Sequence, residues 1–464
     1  MRPALVLAFA IIVGVPVQPG AATSFPRPPE IEHQIRFWRS VFTVYSQDQV
    51  VIHDTADLDR IYTVLDFRPY ADQGYRSLEI DQIRKDTTDG EIVRIRALLL
   101  RLQDGAPRDS LAADERRIYD LFRTDPDPYK FQRAADDGRV RAQRGIREKF
   151  INGFRISRRY IPEMERIFRE EGVPVEITRL PLIESCFDIS AYSKVGAAGV
   201  WQFMPATGRL YMEVDGSIDE RRDPIASTRA AARYLARSYE RLGSWPLAIT
   251  SYNHGPVGML RAVDATGTTD IVTMIRYYGG PGWGFASRNF YAEFLAALDI
   301  DRNPDAYFGR LPPEAVAPTR TVMLDRPIDI FAAAQLARTD RYAIADLNPA
   351  LLDPVVSGRV SIPAGYGLRL PAEGTEGFQD RLARYVPDTR IARAAPADPP
   401  ERSASDSRDA RADSTVATHR VKPGQTLSAI AERYGVSVQA LRLANRLGPR
   451  EQVRSGQVLR IPAS

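Results

Sequence analysis

The sequence predicts a mainly α-helical protein that ends in small α+β modules. Apolar residues keep helical spacing from about residue 144 to residue 301. Prolines and glycines fall where helices of that stretch should begin and end. Two later stretches, 320–375 and 419–462, each have the order strand, helix, helix, strand.

Composition excludes several classes of function. The chain has 464 residues, of which 44% are hydrophobic, ample for buried cores in two to four domains. Lysine and arginine number 63 against 59 acidic residues, a formal net charge of +4. Because no run of like charge marks a basic stripe, we expect no nucleic-acid partner. None of the four histidines has metal-ligand spacing, so we expect no metal and no other cofactor.

The first 22 residues have the features of an export signal. Met1-Arg2 is a short positive segment, and Leu5–Val17 is apolar but shorter than the ~20 residues that cross a membrane. Small residues follow at Gly20–Ala22, so we interpret 1–22 as a cleaved signal peptide. The only cysteine, Cys186, is far from this segment, which argues against a lipoprotein. We expect a periplasmic or cell-envelope location, with membrane association only if the segment stays uncleaved.

Residues 23–143 read as a charged, mostly helical region with one strand at Gln49–His53. No catalytic pattern stands out there, so a scaffold or docking role is the expectation. The all-α unit at 144–301 follows. Helices are predicted to begin at Pro162, Pro174, Asp223-Pro224, Trp245-Pro246 and Pro256. Those that begin at Pro174, Asp223-Pro224 and Trp245-Pro246 are predicted to run to Glu184, Gly243 and Tyr252-Asn253. The last helix is predicted at Ser287–Leu298.

The C-terminal part reads as two modules around a linker. Strands are predicted at Arg320–Leu324 and Tyr366–Pro371, with a helix at Ile328–Ala337 between them. Residues 388–418 are rich in Ala, Pro, Ser, Asp and Arg and read as a flexible linker. Residues 419–462 repeat the order of 320–375, so the two modules are candidates for diverged copies of one unit.

Glu184 is the first candidate for chemistry. Leu180 and Phe187 are predicted to share its helix face. Apolar surroundings disfavour the ionised form and raise the pKa of a carboxyl group. A raised pKa suits a general acid near neutral pH. On this segment alone, a solvated surface glutamate is the commoner outcome.

Two downstream segments favour a functional Glu184 over a solvated surface residue. A Gly-rich loop at 196–205 leads through Trp201 to Gln202, and residues 249–255 contain Tyr252 and Asn253. With Glu184 they supply an acid, two amides and an aromatic ring. This combination suits a hydroxyl-rich ligand with amide groups, such as an N-acetylated sugar.

The ordered set Glu184-Ser185, Gly199–Gln202 and Ser251–Asn253 resembles the lysozyme-like lytic transglycosylases, whose usual motifs are E-S, G-L-M-Q and A-Y-N. The pattern around Arg221–Pro224 narrows the resemblance to the membrane-bound murein D-type subgroup, over roughly residues 144–300. Residues 419–462 resemble a LysM domain, a type that binds glycans containing N-acetylglucosamine. Residues 320–375 look like a degenerate LysM module.

This resemblance implies a lysozyme-like catalytic domain and a role for Glu184 as acid and then base. It would protonate the oxygen between N-acetylmuramic acid (MurNAc) and N-acetylglucosamine (GlcNAc). It would then take the proton of the muramic 6-hydroxyl, giving a 1,6-anhydro product. One carboxylate is enough, unlike in most glycosidases. Asp188, the only other acid obvious near Glu184, is interpreted as a turn residue.

The resemblance also implies binding residues, carried over by position. For the catalytic domain these are Ser185, Ser193, Gln202, Met204, Tyr252, Asn253 and Tyr291; for the LysM domain they are Gly424, Gln425, Thr426 and Leu427. Core packing is an equal expectation for Met204 and Tyr252. Direct alignment puts Phe290 at the family tyrosine, so Tyr291 is assigned as the neighbour that supplies the hydroxyl. His254 departs from the family pattern, and we expect a local structural role for it.

We therefore expect a monomeric enzyme whose partner is the glycan of peptidoglycan. Two alternatives stay open. The first is a hydrolysing lysozyme of the goose type, against which the apparent lack of a second acid argues mildly. The second is a non-catalytic wall-binding scaffold that uses its LysM domain for attachment.

Overall fold

The computed structural model describes residues 24–312 and 318–385, and in the C-terminal module residues 418–421, 427, 430–431, 438–445, 447 and 457–460. The chain divides into two compact units. Met1–Tyr211 and Pro224–Glu314 form the first, and Met212–Asp223 and Ala315–Ser464 form the second. The predicted mainly α fold with small sheets is confirmed.

Three sequence predictions fall wholly or largely outside the described residues: the signal peptide at 1–22, the linker at 388–418 and much of the module at 419–462. Within the described residues, no helix combines the length and the apolar character needed to cross a membrane.

The first unit is built mainly from helices. They are α1 (Glu32–Thr43), α2 (Arg68–Asp72), α3 (Ser77–Gln103), α4 (Ala113–Asp120), α5 (Lys130–Ala135), α6 (Arg147–Ser157), α7 (Ile161–Glu170), α8 (Leu180–Glu184), α9 (Pro205–Gly208), α10 (Pro224–Leu242), α11 (Trp245–His254), α12 (Pro256–Thr266), α13 (Ile271–Tyr277), α14 (Phe285–Arg302) and α15 (Pro304–Phe308). Short 3-10 helices cover Pro29–Ile31, Arg108–Ser110 and Val175–Arg179. The predicted helix starts at Pro162, Pro224, Pro246 and Pro256 lie in the first turns of α7, α10, α11 and α12.

The N-terminal part contains a sheet of which the sequence predicted one strand. Strands β1 (Gln49–Asp54), β2 (Ile61–Asp66) and β3 (Val140–Arg144) pair antiparallel in the order β2-β1-β3. The central strand contains the apolar run Val50–Ile52 and is buried almost throughout. The two edge strands are mostly half-buried or exposed, and their apolar residues do not alternate with polar ones, so the sequence predicted neither of them.

Helix α1 joins the N-terminal part to the helical part of the same unit. It packs along α14. The Trp38 indole donates a buried hydrogen bond of 3.1 Å to the Asn289 side-chain oxygen, and Arg39 forms a 3.1 Å ion pair with Asp299. The position of α14 is therefore fixed partly by residues far away in the sequence.

In its described residues, the second unit combines two two-stranded sheets with short helices. Its elements are β4 (Thr319–Met323), α16 (Ile330–Leu336), α17 (Arg341–Leu347), α18 (Asp353–Val356), β5 (Gly367–Pro371), α19 (Ala372–Thr375) and α20 (Phe378–Arg384), then β6 (Thr418–Arg420), α21 (Val438–Asn445) and β7 (Val458–Arg460), with a short 3-10 helix at Glu220–Arg222. Strands β4 and β5 pair antiparallel, as do β6 and β7.

The segment 212–223 also folds with the second unit. Ile218 is buried in the core formed by 324–382. The Asp219 amide donates to the Ala350 carbonyl at 2.8 Å, and the Leu352 amide donates to the Ser217 carbonyl at 2.9 Å. This arm could not be predicted from the sequence, because its partners lie more than a hundred residues further along the chain.

One asparagine holds each of the two C-terminal modules together in the same way. The Asn348 amide group donates to the Ile344 and Arg369 carbonyls and its oxygen accepts from the Arg369 amide, at 2.7–2.8 Å. Asn445 makes the equivalent bonds to Leu441 and Arg460, at 2.6–2.8 Å. This shared bracket between second helix and closing strand supports the prediction that the modules are diverged copies of one unit.

Gly153 lets α6 lie directly against the turn that follows α8. A Cβ atom at this position would lie 1.7 Å from the Cys186 carbonyl oxygen, closer than any side chain tolerates. Gly90, in the exposed middle of α3, has open space where its Cβ would lie. The two glycines form a matched pair, since both are helical and differ in what surrounds them.

We predict that Gly153→Ala lowers the free energy of unfolding by about 3 kcal/mol, because backbone must move to admit the methyl group. Gly90→Ala should raise it by about 0.5–1 kcal/mol, because alanine restricts the unfolded chain and favours helix. Urea unfolding followed by circular dichroism measures both. Similar stabilities of the two variants would contradict the close approach.

Candidate active site

The chain reaches Glu184 through two short helices. Residues Val175–Arg179 form a 3-10 helix, and α8 begins afresh at Leu180. The prediction of one continuous helix from Pro174 to Glu184 is therefore wrong. The reason is Pro181, which has no amide hydrogen and whose ring would clash with the preceding turn of a longer helix.

Arg179 fixes this entry to the rest of the unit. Its guanidinium group bonds the Glu165 carboxylate at 2.5 Å and the Asp301 carboxylate at 2.8 Å. Glu165 lies on α7 and Asp301 lies on α14, so three elements meet at one cation. Bonds to charged groups at partly buried positions hold such a junction firmly.

A tight turn follows Glu184, the last residue of α8. Cys186 and Phe187 both have a φ of 52°, in the left-handed region that side chains other than glycine rarely adopt. The Phe187 amide donates to the Pro181 carbonyl at 2.9 Å. Phe187 therefore lies beyond the helix, and the prediction that it shares the helix face of Glu184 is wrong. It is nevertheless fully buried.

The Glu184 carboxyl group is half-buried and unpaired. Within the described residues it has no hydrogen bond and no basic partner. Burial raises the pKa of Glu184 from its usual 4.5 to about 8. At neutral pH this side chain is therefore mostly protonated and able to donate a proton.

Several predicted binding residues shape the loop at 191–204. The Ser185 hydroxyl donates to the Val200 carbonyl at 2.9 Å, which ties the turn to this loop. The Ser193 hydroxyl accepts from the Ala197 amide at 2.8 Å. Gln202 has a φ of 50°, and its side-chain amide donates to the Gly199 carbonyl at 2.9 Å. These polar groups build the loop, and the Gln202 side-chain oxygen makes no hydrogen bond among the described residues.

Met204 and Asn253 are the predicted residues most open to a ligand. Met204 is 42% exposed. Asn253 is exposed at the end of α11, where its side-chain oxygen accepts from the Ser287 hydroxyl at 2.9 Å. This bond leaves the Asn253 amide nitrogen without a partner in the described part of the chain. Asn253 is thus oriented by one bond and free to donate others.

Tyr252 lies close enough to Glu184 to feel its charge, and its hydroxyl proton is already donated in a hydrogen bond. That hydroxyl donates to the Trp201 carbonyl at 2.9 Å. Burial, and then the charge of Glu184, raise the pKa of Tyr252 well above its usual range. Trp201, which occupies the usual methionine position, is fully buried, stacks on Phe168 and donates to the Thr228 hydroxyl at 2.8 Å. Its role is packing.

Two residues near Glu184 were missed by the sequence analysis. Burial and the charge of Glu184 raise the pKa of Tyr234, whose hydroxyl donates to the Ser251 carbonyl at 3.2 Å. Burial, followed by the charge of Glu184, raises the pKa of Glu293 to about 8. The statement that Asp188 is the only other acid nearby is therefore corrected. A signal existed, since Glu293 is the only charged residue between Arg288 and Asp299.

Asp188 and His254 both make local contacts, and their structural roles stay predictions. The Asp188 carboxylate accepts from the amide and hydroxyl of Ser190 in an exposed turn, at 2.9 and 2.7 Å. The His254 ring packs edge-on against Trp283 and Tyr278, with centroids 5.0 and 6.3 Å apart.

Two predicted binding residues are corrected. The Tyr291 side chain is fully buried, and its hydroxyl donates to the Pro26 carbonyl at 2.8 Å, so it does not face a ligand. The helix turns by ~100° per residue, which directs position 291 away from the direction of Phe290. Leu427 is only 6% exposed and belongs to the core of its module. Gly424, Gln425 and Thr426 lie outside the described residues.

Comparison with protein families places two domains in the chain. Residues 164–275 match the family model of the transglycosylase SLT domain, and residues 419–462 match that of the LysM domain. The chain therefore carries both domains, and the predicted resemblance is confirmed.

Individual relatives match parts of the chain. The membrane-bound lytic murein transglycosylase D of Escherichia coli (strain K12) is 29% identical over 303 residues, 64% of this chain. The match spans 61% of that relative's own length. A putative tributyltin chloride resistance protein of Alteromonas sp. (strain M-1) is 38% identical over 96 residues. The match spans 20% of this chain and 46% of the length of that protein.

Among solved structures, an inactive mutant of lytic transglycosylase Slt from Pseudomonas aeruginosa is 19% identical, with a TM-score of 0.28. The aligned part covers 50% of this chain and 36% of the Slt chain.

We predict that Glu184→Gln stabilises the protein at alkaline pH and has little effect near pH 5. A carboxyl whose folded pKa is raised to about 8 keeps its proton when the unfolded chain has lost it, so the wild type loses stability as pH rises from about 4.5 to about 8. Glutamine removes that loss. At about pH 8.5 the free energy of unfolding of Glu184→Gln should exceed that of the wild type by about 1–3 kcal/mol, after allowance for the partial exposure of Glu184.

Urea unfolding of both proteins at about pH 5 and about pH 8.5 measures the difference. Glu240→Gln, at an exposed position on α10, is the control and should change neither value. A stability difference that is the same at both pH values would argue against a buried, protonated Glu184.

Proposed function

We propose, from the transglycosylase SLT domain and the LysM domain that this chain carries, that it is a lytic transglycosylase of the bacterial cell wall. It cleaves the β-1,4 bond between MurNAc and GlcNAc without water and leaves 1,6-anhydroMurNAc ends. The observation that carries this proposal is the unpaired Glu184 carboxyl, whose pKa burial raises to about 8 within the SLT domain.

Glu184 acts first as the acid. It donates its proton to the glycosidic oxygen, and the bond between this oxygen and C1 of MurNAc breaks as GlcNAc leaves. A proton donor is most effective when its pKa lies near the working pH, because it is then both populated and acidic enough. Glu184 meets that condition at neutral pH.

Glu184 then acts as the base. Its carboxylate takes the proton of the MurNAc 6-hydroxyl, and the freed oxygen forms a bond to C1. One proton leaves Glu184 and one returns, so the enzyme ends unchanged and no water is consumed. The same raised pKa that favours donation in the first step favours recovery of the proton in the second.

Binding of the sugar is assigned to side chains of the first unit that keep an unused polar group or an exposed apolar surface. The free amide nitrogen of Asn253 is suited to donate to the carbonyl of an N-acetyl group. The unbonded Gln202 oxygen is suited to accept from a sugar hydroxyl, and Met204 offers an apolar contact. Ser193, whose hydroxyl proton is unassigned, keeps its proposed contact near the reacting sugar. Ser185 is assigned to the loop, because its proton goes to Val200.

The LysM domain is proposed to hold the enzyme on glycan strands that contain GlcNAc. A location in the cell envelope fits this substrate, and we keep the periplasmic location, the signal peptide at 1–22 and the monomeric state as parts of the proposal. Gly424, Gln425 and Thr426 remain the proposed glycan contacts of this domain.

A hydrolysing lysozyme is the second candidate, because Glu293 supplies the second acid that the sequence analysis lacked. Hydrolysis with two carboxyls needs the second one ionised while the first is protonated. Burial and the charge of Glu184 raise the pKa of Glu293 to about 8, so it is mostly neutral at the pH where Glu184 donates. This favours the lytic reaction. A non-catalytic scaffold has no use for an unpaired, half-buried carboxyl.

We predict that Glu184→Gln lowers release of muropeptides from purified sacculi at least about a thousandfold, because the proton donor is lost. Binding of the variant to sacculi should persist through the LysM domain. Glu240→Gln, exposed on α10, serves as the matched control and should release muropeptides at the wild-type rate.

Mass spectrometry of the products separates the candidates. Anhydro ends, lighter than reducing ends by one water, support the lytic reaction. Reducing ends that take up heavy oxygen from labelled water would identify a hydrolase. If the wild type releases no muropeptides, the non-catalytic scaffold is the remaining candidate. Full turnover by Glu184→Gln would show that Glu184 is not the catalytic acid.

A further inference from the structure

The loop that carries Ser193 ends in a tight turn. The Gly196 amide donates to the Ser193 carbonyl at 3.0 Å, and the Ser193 amide donates to the Ala197 carbonyl at 2.8 Å. A third bond runs from the Ala197 amide to the Ser193 hydroxyl, at 2.8 Å. Gly196 has a φ of 90°, which glycine adopts readily and other residues do not. Lys194 and Val195 therefore lie at the tip of a turn whose backbone is held by three hydrogen bonds.

This turn lies against the segment that carries Met204, the proposed apolar contact of the sugar. Ala198 forms β-bridges with Tyr192 on one side and with Phe203, the neighbour of Met204, on the other. On the far side of Met204, Pro205 also approaches the turn. A Cβ atom on the glycine of the turn would lie 3.7 Å from the Pro205 ring. The tip of the turn is therefore next to a residue that we assign to sugar binding.

The same loop is tied to the turn that follows Glu184. The Ser185 hydroxyl donates to the Val200 carbonyl at 2.9 Å. The preceding residue of the loop, Gly199, donates from its amide to the Ala191 carbonyl at 2.9 Å. A short path of hydrogen bonds thus connects the proposed acid with the start of the hairpin, so the hairpin is anchored close to the acid.

The side chains on this hairpin are exposed and unused by the fold. Tyr192 is 66% exposed and Val195 is 74% exposed. Lys194 between them is exposed as well. In the part of the chain that the structure describes, the side chains of Tyr192 and Lys194 make no hydrogen bond, ion pair or ring contact. Large apolar side chains that are held together in water on a rigid turn are typical of a surface that binds a partner.

The charge of Lys194 is available to such a partner. The sequence has only five lysines. Lys85 pairs with the Asp89 carboxylate at 2.8 Å, and Lys130 donates to two backbone carbonyls at 2.9 and 2.8 Å. Lys194 has no such bond in the described structure. An ammonium group on a flexible stem is suited to pair with a carboxylate that arrives from outside.

We propose that Tyr192, Lys194 and Val195 form a contact for the stem peptide of peptidoglycan, an inference that rests on the proposed function. The stem is attached to C3 of MurNAc, close to C1, where the bond breaks. It therefore leaves the glycan beside the sugar contacts. Its free carboxylates are complementary in charge to Lys194, and its aliphatic side chains to Tyr192 and Val195. The enzyme accordingly prefers glycan strands that carry stems to strands without them.

The test compares kcat/KM on two substrates: glycan strands with their stems, and the same strands after an amidase has removed the stems. Lys194→Gln should lower kcat/KM on the first substrate by about three- to fivefold, the range for one exposed ion pair, and leave the second unchanged. Raised salt should reduce this difference, because it screens the pair. Lys194→Arg keeps the charge and should keep the preference.

Lys85→Gln is the matched control, because it removes an exposed lysine that is already paired with Asp89. It should change neither substrate. Two results would overturn the proposal. One is a Lys194→Gln variant that loses equally on both substrates, which would indicate a structural role of the turn. The other is a variant that cleaves both substrates at the wild-type rate.

A binding measurement keeps this proposal separate from the proposed function. The disaccharide GlcNAc-MurNAc, with or without its stem, lacks the bond that the enzyme is proposed to cleave. Calorimetry on the full chain should show tighter binding of the disaccharide with the stem, and Lys194→Gln should remove that gain. Equal affinities of the wild type for both ligands would refute the stem contact even if the enzyme is active. A wild type that shows the gain but cleaves no glycan would refute the function and keep the contact.

Discussion

Burial of an unpaired carboxyl at position 184 is the constraint around which the first unit is arranged. Such a group destabilises the folded state, and the left-handed backbone at Cys186, Phe187 and Gln202 adds about 1–3 kcal/mol at each position. Neither feature serves folding. The Arg179 junction and the Ser185 bond to Val200 hold both features in place. Strain of this kind persists where the surrounding structure over-determines it, which is typical of a functional site.

The N-terminal region takes part in this arrangement even though it supplies no group to the site. Helix α1 lies along α14 and bonds to it through Trp38 and Arg39. Helix α14 in turn carries Ser287, which orients Asn253, and Glu293, whose pKa is raised by burial and then by the charge of Glu184. Contacts of this region therefore help to fix the helix that carries Ser287.

The sequence predicted what is local and missed what depends on contacts distant along the chain. Short motifs identified Glu184, Gln202 and Asn253, and prolines marked helix starts. Glu293 and Tyr234 lie about 110 and 50 residues after Glu184, and only packing of α14 and α10 brings them together. Tyr291 was assigned as a binding residue because it follows Phe290 in the sequence, but the side chains of consecutive helical residues point in directions ~100° apart. The strands that open and close the two modules were readable from the sequence, whereas the arm at 212–223 was not.

Among the residues that the structure describes, no cation contributes to the pKa of Glu184, and this decides the chemistry that the site can support. A single carboxyl that first gives a proton and then takes one back needs a pKa close to the ambient pH, because each step fails if the pKa is far from it. An arginine at this position would lower the pKa of Glu184 and leave a permanent base. In the described structure, Arg179, Arg27 and Arg39 are instead neutralised by Glu165, Asp301 and Asp299. These ion pairs keep their positive charge away from Glu184, so burial alone sets its pKa in the range that both proton transfers require.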